Sequence, residues 1–289
     1  MKKLFCFGLG FSAMALARHC LDKGWTVAGT TRSADRCASL RDEGIDAVAF
    51  DTDGETDGVE PALEGTTHLV DSIPPSASMI CPPLDRLATP ISQLEDLEWV
   101  GYFSTTGVYG NHDGGWVDET TPVQPSLDRS IRRVAAEEAW LVMHERYGLP
   151  VHLFRLAGIY GPGRGVLEQV RKGRARRIVK PGQVFSRIHV DDIAAVLLAS
   201  ISRPNPGAAY NVCDDEAEEP AKVVAYACEL LGVSPPEPVP FDDADLSDMA
   251  RSFYADNKRV RNERIKKELG VVLRYPGYRE GMVADLSES

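Results

Sequence analysis

Leu4-Phe5-Cys6-Phe7-Gly8-Leu9-Gly10-Phe11-Ser12-Ala13 is the stretch on which the fold turns. An apolar run of this length ending in glycine has the texture of a strand buried on both faces. From Phe11 to Lys23 the residues Met14, Leu16, Ala17 and Leu21 recur at helical spacing, and Gly24 ends the run. Between strand and helix, Gly8-x-Gly10-x-x-Ala13 has a specific physical reading. Gly8 permits a tight turn, and Gly10 lets the backbone approach a pyrophosphate with no Cβ in the way. Ala13 is small enough for the helix to pack on the strand. The free amides and positive dipole end of the helix suit phosphate. A bound dinucleotide is therefore predicted here.

Outward from this unit the pattern repeats. Trp25 to Thr30 reads as a second strand, and Ser33 caps a helix that reaches Glu43 before Gly44. Ala47–Phe50, His68–Val70 and Trp99–Phe103 are further strand-sized runs, Ser126–Arg146 is a long amphipathic helix, and Val151–Leu156 is the next strand. Strands alternating with helices predict an α/β fold, a doubly wound parallel sheet covered on both faces. Past Gly158 the texture changes. A glycine-proline loop spans Gly161 to Gly165, a basic stretch runs from Arg171 to Lys180, and a helix is expected over Asp191–Ile201. A strand is expected at Tyr210-Asn211-Val212, a linker-like break at Pro235-Pro236-Glu237-Pro238, and a polar tail from Asp256 to Tyr278 with a short helix around Arg264–Leu269. This reading gives a dinucleotide-binding domain over 1–160, with 184–213 returning to the sheet. Residues 161–183 and 214–289 form a smaller substrate-capping region.

The end of the second strand bears on which cofactor is bound. An acid about 20 residues past the glycines would accept hydrogen bonds from a ribose 2′-hydroxyl. Here the chain reads Thr30-Thr31-Arg32. An arginine there can hold a 2′-phosphate that a carboxylate would repel. NADP(H) is thus expected in preference to NAD(H), the alternative being an arginine that is merely solvated.

Composition limits the remaining classes. The chain has 289 residues, 43% apolar and 26% charged, with a net charge of −11. That acidity argues against nucleic acid or an anionic membrane as main partner and leaves a small molecule. The six cysteines form no CxxC or CxxH pair, so no metal is expected and buried free thiols are. No apolar run reaches the ~18 residues of a membrane span, and the N-terminus does not read as a secretory leader. The expectation is a reduced, cytoplasmic protein.

Further motifs carry a resemblance. Ser104-Thr105-Thr106-Gly107-Val108-Tyr109-Gly110 is similar to S-[ST]-x-x-V-Y-G, and Arg155 to Gly163 to R-x-x-x-I-Y-G-P-G. His189 to Ala194 matches H-V-D-D-[VIL]-A, and Tyr210-Asn211-Val212 matches Y-N-V. In this order they resemble the extended or atypical short-chain dehydrogenases/reductases of the NAD-dependent epimerase/dehydratase group. The GxGxxA turn and the tail from Asn257 to Gly281 point to the YeeZ-like branch. The resemblance implies an NAD(P)-binding Rossmann fold. It also implies cofactor contacts from Phe11 and Ser12, and from Asp51, Ser72, Ile73 and Pro74 after the third and fourth strands. Thr105, Arg133, Leu156, Ala157 and Ile159 complete that set. A homodimer through the long helix is suggested by analogy.

For catalysis the family implies a Tyr-x-x-x-Lys pair on the long helix with a Ser or Thr from the fifth strand. Thr105 matches the latter. Anchored on Glu137, the pair positions are Arg129 and Arg133. No tyrosine lies between Tyr109 and Tyr147, and no lysine between Lys23 and Lys172. Arg133 can bond a ribose but is a poor proton relay. Tyr109 and Tyr160 are the phenols that strand-end loops could bring to the nicotinamide, although packing roles suit both. Asp191 and Asp192 read as helix caps, and Glu137 and Glu138 as a structural pair or helix surface. Arg171, Lys172, Arg174, Arg176 and Arg177 read as a solvated face or a site for an anionic substrate. Two functions follow. One is an NADP(H)-dependent oxidoreductase or nucleoside-diphosphate-sugar epimerase/dehydratase-like enzyme with a degenerate pair. The other is a non-catalytic NADP(H)-sensing module.

Overall fold

The computed structural model describes residues 1–51, 56 and 58–287. In chain order the elements are β1 (Lys3–Phe7), α1 (Phe11–Asp22), β2 (Thr26–Thr31), α2 (Ala34–Asp42), β3 (Asp46–Ala49), α3 (Val59–Leu63), β4 (His68–Asp71), α4 (Pro82–Ser92) and β5 (Trp99–Thr105). Then come β6 (Trp116–Val117), α5 (Asp128–Tyr147), β7 (Val151–Leu156), β8 (Gly158–Tyr160), α6 (Val166–Arg171), β9 (Arg177–Val179), β10 (Arg187–His189) and α7 (Val190–Ser202). β11 (Ala209–Val212), α8 (Pro220–Leu230), β12 (Pro238–Pro240), α9 (Asp248–Ser252), β13 (Arg259–Val260), α10 (Glu263–Glu268) and α11 (Tyr278–Ser287) complete the chain.

Seven strands form one sheet in the order β11-β7-β5-β4-β1-β2-β3. β1 pairs in parallel with both β2 and β4, so the winding direction reverses between β1 and β4. In a doubly wound sheet the crevice at such a reversal is where ligands bind. The predicted parallel α/β architecture is the one observed, and Ser33 caps α2 by accepting the Arg36 N–H at 3.2 Å.

The chain divides into two compact units, 1–105 with 128–155 and 194–210, and 106–127 with 156–193 and 211–289. The first holds most of the sheet. Its core is built from strand residues that are apolar on both faces, Phe5, Phe7, Leu69, Val100 and Tyr102, with Leu87 of α4 and Trp140 of α5 packed on them. Burial of each such side chain contributes about 1.5–3 kcal/mol. All six cysteines are buried free thiols, as expected.

In the second unit β8 pairs with β10, β9 with β12 and β6 with β13, all in parallel. Of the 184–213 segment expected to return to the sheet, only β11 does so, because β10 instead pairs with β8. The proline break at 235–238 leads directly into β12. The tail is more ordered than its polarity suggested: α11 buries Tyr278 and Met282 against Tyr160, Leu167, Val223 and Ala227. His189 caps α7, its Nδ1 accepting the Asp191 N–H at 3.1 Å, which leaves Nε2–H to donate to Asp285 at 3.0 Å. The cap reading of Asp192 is corrected. Its carboxylate accepts the backbone N–H groups of Arg274 and Tyr275, 2.7 and 3.0 Å away, and so braces the tail.

Candidate functional site

The glycine turn stands at the β1–β4 reversal. Gly8 has φ +83°, in the left-handed region, and a Cβ there would lie 2.9 Å from Ser72 Oγ and 3.1 Å from Ile73 Cγ1. The turn is stitched on both sides. Gly8 N–H donates to Thr30 Oγ1 at 2.9 Å and Leu9 N–H to the Thr30 carbonyl at 2.8 Å. Ser72 Oγ donates to the Gly8 carbonyl at 2.6 Å. Gly10 is the N-cap of α1 and supplies no side-chain acceptor to the first-turn amides, and no acid stands in that turn. A Cβ on Gly10 would meet nothing within 4 Å. An uncapped helix start with open space over its cap residue fits a pyrophosphate. Ser12 and Ala13 face inward, with Ala13 1% exposed, while Phe11 is half-buried.

Around this turn the first unit gathers the other expected contacts. Thr31 ends β2 and is half-buried, and Arg32 is exposed with no hydrogen-bond or ion-pair partner among the described residues. Asp51 is exposed just past β3, while Ser72, Ile73 and Pro74 follow β4. Beneath that loop lies Asp71, which sequence reasoning missed. It is fully buried, accepting the Ile73 N–H at 3.0 Å and the Trp140 Nε1–H at 3.0 Å. Burial pushes its carboxyl up to about 6, against those hydrogen bonds and the nearby Arg133 charge. The available signal was an acid closing an otherwise apolar strand.

At the end of β5, Thr105 is half-buried and Ser104 is buried. Ser104 Oγ donates to Glu137 Oε1 at 2.5 Å, and Arg155 holds the same carboxylate through Nε at 3.1 Å and Nη2 at 2.8 Å. This bidentate pair is 4% and 8% exposed and ties β5, α5 and β7 together, as the structural reading of Glu137 anticipated. One turn earlier on α5, Arg133 donates through Nη1 to the Phe103 carbonyl at 2.6 Å and to the Tyr102 hydroxyl at 3.1 Å. Arg133 thus reaches the end of β5 but spends one of its nitrogens on β5 itself. Arg129 is half-buried near the start of α5.

Tyr109, Leu156, Ala157 and Ile159 lie in the second unit. Leu156 and Ala157 are buried and Ile159 is half-buried. Tyr109, expected either as a phenol near the nicotinamide or as a packing residue, is fully buried, and its hydroxyl donates to Asn211 Oδ1 at 2.7 Å. Tyr160 is similarly committed, donating to the Gly277 carbonyl at 3.2 Å, and burial raises its phenol well above the ordinary value. Tyr109→Phe is expected to cost about 1–3 kcal/mol by leaving Asn211 short of a donor, with nucleotide binding unchanged. Chemical denaturation alongside a cofactor titration checks both halves.

Comparison with known proteins follows this geometry. Residues 86–213 match the NAD dependent epimerase/dehydratase family. Escherichia coli K12 protein YeeZ is 30% identical over 96% of this chain and 97% of its own. This chain belongs to the NAD-dependent epimerase/dehydratase family, in its YeeZ-like branch. A functionally unknown conserved protein from Silicibacter pomeroyi is 51% identical, with a TM-score of 0.92 over 100% of this chain and 99% of that one. The UDP-glucose 4-epimerase of Thermotoga maritima shares the fold, with a TM-score of 0.82 at 15% identity over 100% and 99% of the two chains.

The chain is thus an epimerase/dehydratase-family protein with an NAD(P)-binding Rossmann fold, and the matched residues include the Ser104-Thr105 strand end. Over its 20 residues α5 carries arginines at 129, 132, 133 and 146, no lysine, and one tyrosine, Tyr147, at its last position.

Proposed function

We propose that this protein binds NADP(H) at the β1–α1 turn and is an oxidoreductase or epimerase/dehydratase-like enzyme acting on a small, polar, anionic substrate. The observation that carries the cofactor is the open, uncapped start of α1 beside an exposed Arg32, with no acid at the end of β2. A guanidinium there pairs with a 2′-phosphate through charge-assisted hydrogen bonds. Bound nicotinamide would supply or accept hydride. Arg133 offers its remaining N–H donors to a ribose, and Thr105 offers one hydroxyl. Neither is an acid near neutral pH, so the proton comes from the substrate or solvent. Arg171, Arg174 and Arg176, exposed in the second unit, supply positive charge for an anion.

Arg32→Ala should weaken NADPH binding by about ten- to a hundredfold, the worth of a charge-assisted contact of roughly 1.5–3 kcal/mol, and leave NADH binding unchanged. Equal binding of NADH and NADPH by the unaltered protein would refute the role given to Arg32. The second reading, an NADP(H)-sensing module without turnover, is favoured by the commitment of both loop phenols to hydrogen bonds and by arginines at the pair positions 129 and 133 of α5. Oxidation of NADPH with carbonyl or nucleoside-diphosphate-sugar substrates, followed at the nicotinamide absorbance, separates the two. Tight binding with neither turnover nor isotope exchange at the nicotinamide C4 selects the sensing module.

A further inference from the structure

Arg129, Arg132 and Arg133 stand within the first two turns of α5. Positions three and four apart share one face of a helix. The row these arginines begin continues as Ala136, Glu137 and Trp140, the buried face that packs on the sheet. All three arginines are half-buried, so they do not form a solvated outer face. Arg133 is anchored on the end of β5 through the Phe103 carbonyl and the Tyr102 hydroxyl. Arg132 has no such anchor. Its Nε is fully buried without a hydrogen-bond partner, and no carboxylate pairs with Arg132 or Arg133 among the described residues. The acids nearby are spent or turned outward. Glu137 is held by Ser104 and Arg155, and Asp128 is exposed.

Such a cluster works against the protein alone. Like charges at these spacings repel, and cations in the first turns of a helix oppose its dipole. A buried donor with no partner adds to the cost. An anion lying against this face would relieve all three.

We propose that Arg129 and Arg132 hold the carboxylate of the substrate, with Arg133 fixing the face on which they stand, and that the substrate is a 2-oxo acid. This rests on the cofactor reading above. A guanidinium presents a planar fork of donors that a carboxylate matches through two parallel hydrogen bonds. The bond from Arg133 to Phe103 places this face at the end of β5, which Thr105 closes, on the carboxyl edge of the sheet where ligands bind. A carboxylate held there puts the carbonyl attached to it at the reacting position. Hydride from NADPH forms the new C–H bond at the carbonyl carbon, and the C=O π pair passes to oxygen. The alkoxide takes a proton from water, giving a 2-hydroxy acid and NADP⁺. Guanidinium charge beside the developing oxyanion does in this scheme what a phenol on α5 would otherwise do.

The test is calorimetric titration of the full chain with oxalate, a planar dicarboxylate that hydride does not reduce, with and without saturating NADP⁺. Oxalate should bind, and inorganic phosphate should bind more weakly. Arg129→Gln and Arg132→Gln should each weaken oxalate by about tenfold or more, the loss of a charge-assisted contact, while NADP⁺ affinity stays within about twofold. In the absence of ligand, Arg132→Gln should melt no lower than the unaltered protein, because it removes repulsion. A lower melting temperature with unchanged oxalate affinity would assign Arg132 to packing instead. Absence of oxalate binding, or undiminished affinity in both variants, overturns the inference and leaves the cofactor reading standing. Tighter binding of phosphate than of oxalate overturns the carboxylate assignment. Failure of NADP⁺ to bind removes the cofactor reading, and the reduction with it, whatever oxalate does.

Discussion

Gly10→Val should leave the protein folded and thermally unchanged within about 0.5 kcal/mol while weakening NADP(H) binding on the order of a hundredfold, about 2.7 kcal/mol. Two observations separate these effects. Gly10 sits at φ −88°, ψ −173°, which any residue adopts, and a Cβ there meets no protein atom within 4 Å. The protein alone therefore has no steric reason to require glycine. The open space lies over the first amides of α1, where a pyrophosphate would approach. Gly8 is the contrasting case. Its left-handed φ and the 2.9 Å approach of Ser72 Oγ mean that Gly8→Val should lower stability and binding together. Melting curves with a fluorescence titration of NADPH distinguish the pair. Unchanged NADPH affinity in Gly10→Val would remove the phosphate from this turn.

Glu137→Ala should be among the most destabilising substitutions in the chain, by about 3–5 kcal/mol. Removing the carboxylate leaves Arg155, 8% exposed, without its bidentate partner, and takes from Ser104 its acceptor. The cost comes chiefly from a guanidinium stranded in a medium that solvates it poorly. Glu137→Gln should cost less, because its carbonyl can still accept one arginine N–H. The double variant Glu137→Leu/Arg155→Met should recover much of the loss, since it strands no charge. Denaturant titrations of the three variants check the ordering. Equal stability of Glu137→Ala and the unaltered protein would show that the pair contributes nothing.

Burial raises the carboxyl of Asp71 to about 6. Because its folded value is raised above that of an unfolded aspartate, stability is largest below about pH 4 for this group and declines as pH rises to about 6, by roughly 3 kcal/mol at most. Above that the contribution is constant.

Much of this protein is legible in its residues alone because the responsible interactions are local. Apolar runs ending in glycine, a Ser33 cap and left-handed glycines at the helix ends repeat at strand–helix spacing, and a parallel sheet is the arrangement that buries them all. The Gly8-x-Gly10-x-x-Ala13 turn, the arginine at 32 and the arginines at 129 and 133 of the long helix are equally visible, since each is a property of the local sequence. Other features depend on residues far apart in sequence. Tyr109 reads from sequence as a loop phenol or a packing residue, and only the fold brings Asn211 to its hydroxyl. Asp192 looked like a cap until the 274–275 backbone claimed it, and the cap proved to be His189. Asp71 carried no motif at all. Its burial and raised carboxyl arise because Trp140, Cys81 and Ile73 converge on it from different elements, and desolvation is a property of the packed neighbourhood rather than of the residue. Local geometry thus announced the fold and the glycine turn, and long-range packing gave buried polar groups such as Asp71 and Tyr109 their partners.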